Sequence, residues 1–405
     1  FSSSDDSVAV LNNSPTRRGQ ASVVGAVDDS ATVTANFPTT AFQADGTLFV
    51  GLFAYVLSDL DSLVQPLIVD PDTGALTDTD GSAQGDDSPG EFVIHPNGLF
   101  LYVVNLFTEM VTVYEIDPDT GALNHVQDFP VDDCGCGTVL VVEPTGHRLY
   151  LVDSNIGQVK VLDIDLADGS LTDSGISEIT GSFVEDAEMT PDGRFLQVLD
   201  LSDNVIYTYE IDPATGAPMP PTTTPTGGET PFDLAIDPLG RFLFVISDAG
   251  RTLESSLLDP FTGLPAAPFQ FSISDQLMGM AVDPQGQTLV AGATALGGRA
   301  RAKRGCAASR EMVVEGCGCP DDLVYTFTID PCDGFLDQTG TTATSPAPAG
   351  LAVDPRGRFA WTSSDFGEVV SGFALNREDF TAAPLDPRDL MLPELFFLLQ
   401  METTP

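Results

Sequence analysis

The chain is poor in lysine, histidine and tryptophan, with two Lys, three His and one Trp in 405 residues. Each scarcity removes a class of function. Only 16 Lys and Arg stand against 60 Asp and Glu, a net charge of −44. Phosphate backbones are bound by clustered basic side chains, so nucleic-acid recognition is excluded and the field of the molecule favours cations. No run of ~18 apolar residues occurs, so no bilayer-spanning helix is expected; the longest apolar patch is Leu395 to Leu399. Convincing amphipathic helical periodicity is missing throughout. The three histidines, His95, His125 and His147, fall in turns or an outer strand, away from any channel. A general base or nucleophile partner of that type is therefore not expected.

What is present reads as a folded chain, 42% hydrophobic and 19% charged. At ~150 residues per domain the length suggests two or three domains, but internal repetition overrides that prior. The sequence opens at Phe1 with the polar Ser2-Ser-Ser-Asp-Asp6, which reads as a processed product, and an extracellular or cell-surface protein is expected. Acidity with little lysine fits a secreted protein or one working in high salt. Six cysteines, Cys134, Cys136, Cys306, Cys317, Cys319 and Cys332, are an even number and favour disulfides in an oxidising compartment.

One unit recurs seven times. An apolar run ends in a turn centred on Pro-x-Gly and is followed by an aromatic and aliphatic run, most clearly in Phe92-Val-Ile-His-Pro-Asn-Gly-Leu-Phe-Leu-Tyr-Val-Val104. The turn glycines are Gly46, Gly98, Gly146, Gly193, Gly240, Gly286 and Gly357, separated by 52, 48, 47, 47, 46 and 71 residues. A second turn follows in each unit: Asp70-Pro-Asp-Thr-Gly74, Asp117-Pro-Asp-Thr-Gly121, Asp212-Pro-Ala-Thr-Gly216 and Asp259-Pro-Phe-Thr-Gly263, with looser copies at Gly169 and Gly334. Pro presets φ, Asp bonds its own backbone and Gly takes the positive-φ position, so each is a hairpin tip. Two tips per unit, with short β-branched and aromatic segments between them, make four strands.

A four-stranded sheet of ~45 residues cannot bury both faces alone, and seven of them close radially into an all-β, seven-bladed propeller of antiparallel blades. The propeller is expected over 42–386, with an N-terminal extension over 1–41 and a tail over 387–405. Blade seven runs short of an outer strand after Phe380. The segment from Ala21 to Phe37 is expected to supply it and close the ring, since an open sheet edge would be sticky.

The units Ile94-His-Pro-Asn-Gly-Leu-Phe-Leu-Tyr-Val-Val-Asn105 and Val111-Thr-Val-Tyr-Glu-Ile-Asp-Pro-Asp-Thr-Gly-Ala-Leu123 resemble the seven-bladed lactonase-type (YVTN repeat) propeller family over about 42–386. That resemblance implies a pocket in which a Pro-Arg-His segment before the inner strand presents basic residues to an anionic sugar lactone. The corresponding positions here read Pro89-Gly-Glu91, Gly137-Thr-Val139, Val184-Glu-Asp186, Pro231-Phe-Asp233 and Pro348-Ala-Gly350. Basic residues are gone and carboxylates stand in three of the five. A phosphorylated substrate is thereby disfavoured.

By repeat register Glu91, Glu185, Asp186, Glu188 and Asp233 gather at one mouth of the channel. Converging oxygens suit Ca²⁺, and crowded like charges raise one another's pKa; the bland alternative is a solvated acidic surface. The Asp-Pro-Asp-Thr-Gly tips lack the spacing of an EF-hand and read as structural turns, and the stretch from Asp78 to Asp87 is a weaker candidate. Blade six carries an insertion, 294–322, holding Arg299, Arg301, Lys303, Arg304 and Arg310, five of the 16 basic residues. It reads as a lid over the acidic mouth, a handle for an acidic partner or a processing site. Cys-x-Cys pairs at 134–136 and 317–319 fit disulfides better than a Cys₄ zinc site, and a bridge fastening the insertion across the mouth is expected.

Three functions remain. The first is an exported acidic binding or structural surface module taking a protein or carbohydrate ligand. The second is a lactonase-like or other metal-assisted hydrolase acting at the channel mouth. The third is a self-assembling subunit that uses its tails, with Leu395-Phe-Phe-Leu-Leu399 adding to a neighbour's sheet.

Overall fold

A computed structural model describes residues 52–58, 63–79, 89–105, 108–131, 138–153, 157–294, 322–364 and 369–392, and the course of short strands at 2–3, 9–12, 20–23, 31–36, 43–48, 83–84 and 398–403. Among the described residues six antiparallel sheets of four strands follow one another along the chain, a seventh sheet, to which Ala83–Gln84 adds a short fifth strand, precedes them, and no helix occurs. Blade two shows the plan: Pro89–Ile94, Phe100–Asn105, Met110–Ile116 and Leu123–Pro130 pair in chain order from the axis outwards. The inner strands of successive blades lie side by side all the way round. This is the expected seven-bladed propeller.

Apolar side chains fill the wedges between sheets because alternate residues of each strand face the neighbouring blade. Between blades two and three Phe100, Tyr102, Val104, Leu140, Leu149 and Leu151 form one such layer, all buried. The tips add a directional contact. Asp117 Oδ1 accepts from the backbone N–H of Asp119 and Thr120 at 3.0 and 2.9 Å, and Gly121 closes the turn at φ 72°. Hydrogen bonds from the Thr120 side chain, and then from the backbone of Thr120 and Asp119, hold the Asp117 carboxyl below its ordinary range.

Each tip is gripped by the preceding blade. Tyr55, Tyr102 and Tyr150 donate their hydroxyls to the carbonyls of Gly121, Gly169 and Gly216 at 2.9, 3.1 and 2.9 Å. Gln197 does the same to Gly263 at 2.8 Å, and Trp361 Nε1 to Gly74 at 3.0 Å. In blade five the second strand carries Phe244, which has no donor, and Ser255 of the third strand reaches Gly334 instead at 2.6 Å. A Cβ on Gly121 would lie 2.4 Å from the Phe53 ring. The tip glycine is thus required both by φ and by the close approach of the preceding blade.

Ring closure differs from the expectation. Leu398–Thr403 pairs with Leu52–Ser58 and is the innermost strand of blade one, while Ala31–Asn36 pairs with Gln43–Leu48 and with no blade. Gly46 accordingly lies inside a strand rather than in a Pro-x-Gly tip, and its Ala-Asp-Gly surroundings lack the proline of the other copies. Blade seven has an outer strand of its own, Thr381–Met391. Pro384 and Pro387 disguise it in the sequence, but proline is tolerated at a sheet edge where no N–H is needed, and a register shift between Ser371 and Phe373 accommodates the departure.

Candidate active site at the channel

In this topology the turns from first to second strand and from third to fourth lie on one face of the ring. The starts of the inner strands lie on the other. Glu91 belongs to the inner strand of blade two. Glu185, Asp186 and Glu188 lie on that of blade four, Val184–Met189, and Asp233 opens that of blade five, Asp233–Ile236. An innermost strand has no partner on its axial edge, so its backbone N–H groups need acceptors. The carboxylates supply them from the preceding blade. Glu91 accepts from Leu140 N at 3.4 Å, Asp186 Oδ2 from Leu234 N at 2.8 Å, and Glu188 Oε2 from Ile236 N at 2.5 Å.

Four of the five sequence candidates come together. Asp186 and Asp233, at equivalent positions of neighbouring inner strands, act on each other side chain to side chain, and two carboxyl groups that close resist both being ionised. Asp233 also has a buried oxygen, Oδ2, that meets no N–H or hydroxyl. Desolvation is the leading cause throughout. It pushes Asp186 up to about 6 against the N–H bonds of Leu234 and Ala187 that oppose it. It pushes Glu188 up to about 8, with Asp186 and Asp237 adding repulsion. Asp233 is driven well above the ordinary carboxylate range by burial and then by Asp186. These side chains remain partly open to the channel, so water reaches groups that protein otherwise surrounds. Glu185 is exposed beside them, and burial of its stem, Asp186 and Asp200 raise it as well. Glu91 stands apart, at the junction of blades two and three.

Among the described residues no group of three or more His, Cys, Asp or Glu is arranged to hold a metal ion. His95 is buried in its turn with Nε2 2.8 Å from Gly146 O, and His125 and His147 are exposed. A cavity of about 50 Å³ between blades seven and one, lined by Leu76, Trp361, Val370 and Leu385, is too small for a sugar. Cys332 is an exposed free thiol at a tip on the face opposite the carboxylates, so it cannot join a bridge across the mouth. Cys134, Cys136, Cys306, Cys317 and Cys319, and the basic Arg299, Arg301, Lys303, Arg304 and Arg310, lie outside the described residues.

The pairing of Asp186 with Asp233 was legible in principle: the two are 47 residues apart, the repeat length, and occupy one position of the inner strand. The donors that grip the tips were missed. Tyr55, Tyr102, Tyr150 and Gln197 precede their glycine partners by 66 or 67 residues, a constant offset that repeat arithmetic contains.

Fold and channel define a closed β-propeller whose ionisable groups of unusual strength sit on two neighbouring inner strands. The family model of the lactonase seven-bladed β-propellers matches residues 39–184 and 140–268, more than half of the chain. The protein belongs to that family. Its fold is similar to a 6-phosphogluconolactonase candidate from Bacteroides uniformis, with 15% identity, TM-score 0.71, and 87% of this chain and 99% of that one covered. It is also similar to a periplasmic gluconolactonase from Pseudomonas aeruginosa, at 17% identity and TM-score 0.68 over 88% and 99% of the two chains. A Lactobacillus plantarum protein aligns at 15% identity and TM-score 0.69 over 88% of this chain and 100% of its own. At these identities the likeness is one of fold. None of the curated proteins compared with the chain matches it.

Proposed function

We propose that the protein hydrolyses cyclic esters of sugar acids at the carboxyl cluster between blades four and five. Family membership favours lactone chemistry over a purely structural surface module, and the observation that carries the site is the gathering of Asp186, Glu188 and Asp233 on two neighbouring inner strands, with Asp186 and Glu188 bonded to Leu234 N and Ile236 N and Asp233 Oδ2 buried without a donor. Carboxyl groups pushed apart in strength divide into base and acid. The ionised partner of the Asp186–Asp233 pair takes a proton from a water as its oxygen attacks the lactone carbonyl. Glu188, protonated below about pH 8, gives its proton to the ring oxygen as the C–O bond breaks. The product is an open-chain hydroxy acid.

Hydrolysis of an uncharged aldonolactone, followed by proton release, tests the reading. Activity is expected to rise through about pH 6 and fall through about pH 8 as base and acid titrate. Asp186→Asn is expected to lower kcat by roughly 10²- to 10³-fold. A folded Asp186→Asn variant hydrolysing the lactone at the wild-type rate would remove the cluster from the mechanism.

A further inference from the structure

We propose that Glu185 sets the charge specificity of this site, turning away anionic lactones and driving out the anionic product; the inference rests on the lactonase reading. Val184 pairs with Asp200 and Asp186 with Leu199, which leaves Glu185 as the extra residue of a β-bulge. A bulge breaks the alternation of a strand and re-aims a side chain. Asp186 keeps its place against the neighbouring inner strand while Glu185 is thrown out to solvent at the channel mouth. Blade two has the same bulge between Pro89 and Glu91, and there the extra residue is Gly90, with no side chain to present.

The electrostatic surroundings have one sign. The charged groups bearing on Glu185 are Asp186 and Asp200, those on Glu188 are Asp186 and Asp237, and that on Asp233 is Asp186. Arg241 pairs with Asp237 at 2.8 Å, and among the described residues no basic side chain acts on Glu185, Asp186 or Asp233. Burial, with repulsion from Asp186, favours the protonated forms of Glu188 and Asp233, whereas Glu185, the most exposed of the group, presents its carboxylate at the entrance. Lactone hydrolysis adds water to a neutral ester and yields a hydroxy acid, which releases its proton at neutral pH. Substrate therefore enters uncharged and product leaves as an anion past a carboxylate.

The test compares the wild type with Glu185→Gln and Glu185→Lys. The kcat/KM for an uncharged aldonolactone is set against that for its phosphorylated counterpart, and inhibition by the aldonate is measured alongside. The preference for the uncharged lactone is expected to fall about tenfold in Glu185→Gln and further in Glu185→Lys, with aldonate inhibition tightening in parallel and both effects shrinking in about 0.5 M salt. A preference and an inhibition constant that stay within about twofold of wild type in both variants overturn the proposal. Should the wild type hydrolyse neither lactone, the lactonase reading fails by itself. Calorimetric titration with the aldonate then decides the inference: tighter binding to Glu185→Lys sustains it and unaltered binding overturns it.

Discussion

The tips at the rim and the inner strands at the axis solve the same problem, an unpaired backbone group beside a neighbouring blade, with opposite chemistry. At the rim neutral donors satisfy carbonyls: Tyr102 binds Gly169 and Gln197 binds Gly263. At the axis carboxylates satisfy N–H groups, as Glu188 does for Ile236. Neutral pairs cost little to bury, whereas crowded carboxyls must hold protons they would lose in water. The rim holds the ring together, and the axis between blades four and five concentrates groups whose strength is useful for chemistry at some expense of stability.

The comparison breaks most visibly at the tips. Gly121→Ala forces a Cβ into the Phe53 ring at a φ of 72°, and a loss of roughly 3 kcal/mol is expected, read as a large drop in thermal midpoint. At the axis the sign reverses. Glu188 rises from 4.5 to about 8 on folding, so the folded state holds a proton that the unfolded state has released between those values. Its contribution to stability is complete below about pH 4.5, declines as pH rises, and is lost above about pH 8. Glu188→Gln keeps an acceptor for Ile236 and removes the titration. The variant is expected to flatten that slope and to exceed wild-type stability by roughly 2 kcal/mol at high pH, checked by denaturant melts from pH 4 to 9. The smallest change is Tyr102→Phe, which leaves the Gly169 carbonyl without its donor. About 1 kcal/mol is expected to go, with no dependence on pH below 9.

Local chemistry made most of the fold legible. Pro-x-Gly and Asp-Pro-x-Thr-Gly tips are set by the residues within them, so strand number and blade spacing follow from the sequence alone. Partner choice across the ring is a long-range matter, and there the reading erred. Ala31–Asn36 alternates like a closing strand, yet Leu398–Thr403 occupies the place beside Leu52–Ser58. The position of Asp186, Glu188 and Asp233 on inner strands was readable from register. Their strengths were not, because burial beside a second carboxyl depends on how two blades meet, and Glu185 leaves the regular alternation through a bulge that no turn motif announces.

Closure by Leu398–Thr403 has a consequence for biosynthesis. Its partner strand ends at Ser58, some 340 residues earlier, so six further blades are synthesised before the strand that completes the first has been made. Until then Leu52–Ser58 waits with one edge bare, a template for unwanted pairing during translation. The last step of assembly is the joining of two segments far apart in synthesis, and the speed of that step governs how long a nascent chain needs protection by a chaperone.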